Sequence, residues 1–193
     1  MNALVSQRVQ GQLSGEDEDA ADNRQFLTFL CSGDLYALDI LHIREIIQYG
    51  EMTVVPMMPE FVRGVINLRG KVVPVIDLAC RFGQGKTGHG RRTSIVIVEI
   101  GDSGNEEAHQ SLGIMVDAVS EVIDVTPADI MPPPSFGTHI RADFIAHMAR
   151  RGERFLPVLA LTVVLSQNEL SGHEAAPAAA GEAVTESAYD EQG

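Results

Sequence analysis

The sequence predicts an all-β fold, a barrel or sandwich of many short strands, on three observations. Apolar runs of strand length recur through the middle of the chain, glycine and proline turns break them at intervals of about ten residues, and no repeated helical crossover separates them. The last point also argues against a Rossmann-like sheet. With 193 residues, 45% of them hydrophobic, the chain can bury a substantial core as one domain or a compact pair of small subdomains.

The first pair of strands spans Gln25 to Cys31 and Leu35 to Ile40. In QFLTFLC, Phe26 and Thr28 fall on one face and Leu27 and Phe29 on the other, and Ser32-Gly33-Asp34 supplies a turn. The two runs form a hairpin, since either alone leaves its backbone groups and an apolar face uncovered. In Leu41 to Ile47, Ile43, Ile46 and Ile47 recur at helical spacing beside Arg44 and Glu45, so a short helix and a tight irregular strand both fit. Either sets the Glu45 carboxylate next to an apolar surface.

Pro56 and Pro59 then break the chain. Phe61 to Leu68 (FVRGVINL) and Lys71 to Leu78 (KVVPVIDL) form a second pair around Arg69-Gly70. Pro74 lacks an amide donor and argues for an edge strand or a bulge. The turn from Asn67 to Gly70 projects Arg69 from a stiff β framework. Gly83 to Gly90 (GQGKTGHG) reads as a mobile loop, and Thr93 to Ile100 (TSIVIVEI) is the strongest buried strand. A polar loop leads to strands at Leu112 to Val119 and Glu121 to Val125, interrupted at Ser120. Asp129 to Phe136 is an extended proline-rich connection. Ile140 to Met148 and Arg154 to Leu161 follow, with a turn at Gly152, and Val163 to Leu165 finish the folded part.

Residues 1–24 contain two Arg and five acids, and residues 171–193 contain five acids and no Lys or Arg. Both segments concentrate like charge over little apolar surface and read as flexible tails around a folded region of 25–170. The chain carries a formal net charge of -13. That balance argues against a nucleic-acid partner, because Arg91 with Arg92, and Arg150 with Arg151 and Arg154, are the only local basic groups. No apolar stretch approaches the length of a membrane span, and the start lacks the apolar run of a signal peptide, so a cytoplasmic location with no membrane insertion is expected.

Chemistry is not signalled. Cys31 and Cys80 lie in or beside apolar segments without C-x-x-C spacing, and the six histidines form no H-E-x-x-H or Cys/His cluster. There is no G-x-S-x-G elbow, and Gly85-Lys86-Thr87 lacks the earlier glycine of a G-x-x-x-x-G-K-[ST] phosphate-binding loop. Asp117, Glu121 and Asp124 are explained as surface carboxylates, some paired with a nearby Arg. No catalytic residue, metal ligand or cofactor is therefore expected.

The positive signal is Phe61-Val62-Arg63-Gly64-Val65-Ile66-Asn67-Leu68-Arg69-Gly70, continued by Lys71-Val72-Val73-Pro74-Val75-Ile76-Asp77-Leu78. This closely resembles the signature strand-turn-strand of the bacterial chemotaxis coupling protein (CheW) family. Resemblance extends through Gln25 to Ile47, Thr93 to Glu99 and Leu112 to Val122, and covers about Gln25 to Gln167 in all. It implies two small, closely packed SH3-like β barrels with short helical segments. It also implies a non-enzymatic adaptor of a two-component system, joining the cytoplasmic tip of methyl-accepting chemotaxis receptors to the regulatory domain of the histidine kinase CheA. Other CheW-like domains are implied as neighbours in arrays.

The resemblance makes Arg69 a receptor-contacting side chain, its guanidinium fork suited to a carboxylate or to helix-terminal carbonyls; an internal ion pair is the plainer role. Glu45 matches a position associated with partner coupling, or pairs with Arg44, Arg63 or Arg69. Asn67 and Gly70 set the turn. Ile43, Val65 and Leu68 form either the apolar part of a groove or part of the core. Two departures stand near the C terminus, His147 at an expected glycine and Ala160 at an expected aspartate. The competing classes are a related binding module of another chemosensory pathway and an enzyme with an unfamiliar site.

Overall fold

In the computed structural model, residues 23–101, 109–135 and 137–166 are described. Most of the two expected tails therefore lies outside the described residues, as does Phe136. The described chain forms eleven strands: β1 (Arg24–Cys31), β2 (Asp34–Asp39), β3 (Ile43–Gln48), β4 (Val62–Leu68), β5 (Lys71–Asp77), β6 (Ser94–Ile100), β7 (Gln110–Val116), β8 (Ala118–Val125), β9 (Ile130–Met131), β10 (Ile145–Arg151) and β11 (Arg154–Leu159). One-turn helices α1 (Leu78–Arg81) and α2 (Leu161–Val164) follow β5 and β11.

Two curled sheets make two small barrels, in the orders β8-β1-β2-β11-β10-β9 and β3-β6-β7-β5-β4. The chain starts in the first sheet, builds the whole of the second, and returns. β8 pairs with β1, while β2 meets β11 in parallel at Ala37 and Val158. Each barrel has a small core of its own: Phe26, Ile123 and Val158 in the first, Val75, Ile95, Ile97 and Met115 in the second. A larger apolar cluster, including Phe29, Leu38, Ile76, Val98, Ile114 and Phe144, joins them. An all-β fold of two packed barrels is thus what the sequence folds into.

Both early hairpins turn on two residues of positive φ, Ser32 and Gly33 between β1 and β2, and Arg69 and Gly70 between β4 and β5. Such turns match the right-handed twist of the flanking strands. Two glycines fit tight places. Gly113 lies inside the second barrel, where a Cβ would stand 2.8 Å from Ile95 Cγ2 and 3.1 Å from Val75 Cγ2. Gly64 (φ +150°) faces the Thr53 carbonyl where the Thr53–Val65 bridge lies against β4.

Four expectations are corrected or refined. The break expected at Ser120 falls instead at Asp117, because Asp117 donates its amide to Leu30 O (3.0 Å) and accepts from Ser32 N (2.7 Å), which draws the chain from one sheet to the other. β5 is an interior strand, but its pairing with β7 begins at Val75, so Pro74 pairs only with Val65. Residues 40–48 are both of the alternatives in turn, a 3-10 turn over Ile40–His42 and then β3, with a bulge between Ile43 and Glu45.

The glycine-rich loop, read as mobile, is fastened. Thr87 is buried and donates from its amide (3.0 Å) and hydroxyl (2.7 Å) to the fully buried Asp77 carboxylate, which also caps α1 through Cys80 N (3.2 Å) and pairs with Arg63 (3.3 Å). His89 stacks on Tyr49 with centroids 4.5 Å apart and meets Arg63 Nη2 at 2.8 Å. Glycines give that loop freedom only until these donors find their acceptor.

Candidate functional site

In the second barrel, inward positions run Ile95, Ile97, Glu99 along β6 and Met115, Gly113, Ser111 along β7, paired across the two strands. On β3, Ile47 joins the barrel core and Glu45 follows two residues earlier, opposite Ile97. The side-chain period of two thus carries an apolar core up to a polar rim of Glu45, Glu99 and Ser111. The β4–β5 turn leans over this end, closing a depression of about 330 Å³ whose walls include Leu68, Arg69 and Lys71. It is the open mouth of the barrel, a place where β-barrels commonly take ligands.

The turn itself is tightly specified. Asn67 Oδ1 accepts from Gly70 N at 2.8 Å, closing the turn by a side chain, and Gly70 adopts φ +84° without steric cost. Arg69 sits at φ +51°, a left-handed conformation that costs an L-residue about 1 kcal/mol. Its guanidinium donates to Glu45 Oε2 at 3.2 Å, with the Arg69 side chain 81% exposed and that of Glu45 29% exposed. Arg44 pairs with Glu99, which lies 3.8 Å from His109 Nδ1, while Arg63 turns away to Asp77. Of the arginines the sequence offered to Glu45, Arg69 pairs with it.

The structure therefore brings Glu45, Leu68 and Arg69 to one mouth, with Asn67 and Gly70 shaping the turn. Leu68 packs its side chain against the barrel core beneath. Ile43 packs instead against the large cluster between the barrels, and half-buried Val65 sits on β4 between Pro74 and Thr53. Sequence reasoning missed Lys71, Glu99 and Ser111. The two-residue continuation of Ile95-Ile97 into Glu99 was the available signal for the rim, but only the fold sets it beside Arg69.

Elsewhere the chemistry is quiet. Burial, followed by the nearby Asp117 and Asp77 charges, pushes the Cys31 thiol up to about 12, and burial also raises Cys80, so both are thiols at neutral pH. Burial lowers His147, which meets Phe26 edge-on at 5.8 Å. Arg151, Arg150 and Arg141 hold Glu121, Asp129 and Asp143 below the usual carboxylate range through direct hydrogen bonds. Among the described residues no group of three or more His, Cys, Asp or Glu side chains is arranged to hold a metal ion, and no helix is long and apolar enough to cross a membrane.

The family model described as the CheW-like domain matches residues 25–169, three quarters of the chain. The chain belongs to the CheW-like domain family. Similar relatives include the chemotaxis protein CheW of Klebsiella aerogenes, 32% identical over 77% of this chain and 85% of that protein, and the chemotaxis protein CheW of Treponema pallidum, 32% identical over 76% and 84%. The crystal structure of the scaffolding protein TtCheW from Thermoanaerobacter tengcongensis superposes with a TM-score of 0.66 at 37% identity, covering 76% of this chain and 90% of that one. The CheW signature hairpin read from the sequence is thus the β4–β5 hairpin, and its turn overhangs the barrel mouth.

Proposed function

We propose that this CheW-like protein is a non-enzymatic adaptor that couples methyl-accepting chemoreceptors to the histidine kinase CheA. The observation that carries the reading is the placement of the signature turn: an exposed Arg69 held out over a barrel mouth, with Glu45 beneath it. A guanidinium so presented offers donors to a carboxylate or to the carbonyls at a helix end of a receptor tip. Leu68 supplies apolar surface beside it, Asn67 and Gly70 fix its direction, and Ile43 and Val65 stiffen the strands behind it.

A bridge needs a second face. The first barrel has one, a depression bordered by Tyr36, Ile140, Met148 and Phe155, with Phe155 53% exposed. It lies on the other sheet from the signature turn, so occupation of one face leaves the other open. We assign that side to the regulatory domain of CheA and to neighbouring CheW-like domains. The adaptor works in the cytoplasm and is drawn to membrane-associated receptor arrays through these protein contacts.

The test is reconstitution of the folded protein with candidate receptors and CheA, reading kinase activity. The adaptor should raise receptor-controlled kinase activity, and Arg69→Glu should abolish that gain while the protein stays folded. Failure to bind either partner would sink the proposal. Binding confined to receptors of another output would place the chain in a different chemosensory pathway.

A further inference from the structure

Among the described residues, the barrel mouth is lined by more cations than carboxylates. Arg69 is matched by Glu45 and Arg44 by Glu99, but Lys71 has no ion-pair partner among the described residues. It is exposed, it lines the same depression, and it directly follows the turn, opposite Leu68 in the ladder. Of the described residues that line it, three are cations and two are carboxylates, in a chain whose net charge is -13. Among the described residues, this excess of cations is a local exception to the field of an acidic protein. Ser111 stands on the opposite rim with a hydroxyl that can donate or accept, and Leu68 lies between with an apolar surface.

We propose that the mouth is a carboxylate-binding subsite, in which Lys71 receives an acidic side chain of the docked receptor while Arg69 stays on Glu45 or shares the incoming group. The inference rests on the receptor-coupling reading and deepens it: the partner segment seated here carries Asp or Glu next to an apolar residue that meets Leu68. Lys71 is then a selectivity residue rather than part of the turn. An ammonium is a point charge on a flexible stem, so it tolerates either acid and several approach angles, whereas Arg69 is held by its pair. Rim charges of this kind act mainly on association rate and salt dependence.

Two measurements test it. In the first, Lys71→Gln and Lys71→Glu are compared with the unaltered protein for binding to receptor-containing membranes across a NaCl series, with CheA binding as the internal control. Lys71→Glu should weaken receptor binding at least tenfold at low salt, Lys71→Gln should flatten the salt dependence, and CheA binding should hold within twofold. Equal loss toward both partners, or no loss toward receptors, overturns the proposal. In the second, the 15N-labelled protein is titrated with glutarate at millimolar concentration. Amide shifts should cluster at Leu68, Lys71 and Ser111 and vanish in Lys71→Met. Shifts spread over the surface, or unchanged in Lys71→Met, overturn the subsite. Receptor binding absent from the unaltered protein while the glutarate shifts persist would fault the coupling reading and leave the subsite standing.

Discussion

Asp77 is the point at which the signature hairpin, α1 and the glycine-rich loop are tied together, and replacing it measures how much that knot holds. Its carboxylate has no solvent exposure and accepts from Thr87 N, Thr87 Oγ1, Cys80 N and Arg63 Nη1 at 2.7 to 3.3 Å. In Asp77→Ala those donors lose their acceptor together, at about 1–3 kcal/mol for each one left dry. Arg63, only 17% exposed, loses its counter-charge, and breaking a buried pair from one side costs about 3–5 kcal/mol. The two figures overlap, and water can enter where the loop detaches, so about 4 kcal/mol is expected. That is a large share of the roughly 5–15 kcal/mol that holds a domain together. Urea unfolding followed by circular dichroism reads it: with a slope of about 2 kcal/mol/M the midpoint falls by about 2 M. Thr87→Val, which removes only the hydroxyl, should cost about 1 kcal/mol. Asp77→Asn, which keeps an acceptor, should fall between and serves if the alanine variant does not fold. A loss under about 1.5 kcal/mol for Asp77→Ala at unchanged slope would refute the reasoning, as would Thr87 amide exchange as slow as before.

Arg69→Asn should stabilise the fold by about 0.5 kcal/mol in urea, since Asn tolerates the left-handed turn and the lost pair is exposed, while receptor coupling falls. Ala160→Asp should raise stability by about 1 kcal/mol, because Ala160 opens α2 with no side-chain cap where Asp77 caps α1; the thermal midpoint checks it. Burial and the neighbouring Arg24 depress His147, so the folded state holds that proton less tightly than the unfolded one. Its contribution is complete above the unfolded value of about 6.5 and is lost as pH falls through the lower folded value. His147→Leu should flatten that part of the stability curve and leave the steeper acid loss, in which the paired Glu121, Asp129 and Asp143 take up protons below their ordinary range.

Local patterning made the strands legible. The alternation in QFLTFLC, the apolar run at 93–100 and the Arg69-Gly70 turn all report on neighbours within a few residues, and they stand as β1, β6 and the β4–β5 hairpin. The site was legible in its residue types, with Glu45 and Arg69 already candidates for each other. What stayed hidden depends on distance along the chain. Nothing near Thr87 announces that Asp77 will accept from it across ten residues. Nothing near Asp117 tells it apart from Ser120 until the Leu30 and Ser32 backbones arrive to hold it. In the sequence Lys71 only opens the run to Leu78, because its meaning comes from the β3, β6 and β7 rim that the fold sets opposite.

The two barrels repeat one unit, which bears on Arg69. Val73-Pro74-Val75-Ile76-Asp77-Leu78 leads from β5 into α1, and Leu156-Pro157-Val158-Leu159-Ala160-Leu161 leads from β11 into α2, so each barrel carries the same hairpin-and-helix unit. In each, an arginine at the end of that hairpin reaches an acid on another strand: Arg69 to Glu45 on β3, and Arg151 to Glu121 on β8. An arginine-carboxylate clasp across the barrel is therefore a structural habit of this fold, and the Arg69 pair alone does not mark a docking site. The difference lies in what surrounds the clasp. Arg151 binds Glu121 with both terminal nitrogens, and the adjacent Arg150 is taken by Asp129. Arg69 donates with one nitrogen from a strained backbone at 81% exposure, over a hollow that Lys71 also lines. A residue held in an unfavourable conformation for a weak exposed pair contributes little to folding, which fits the docking role proposed for Arg69 above.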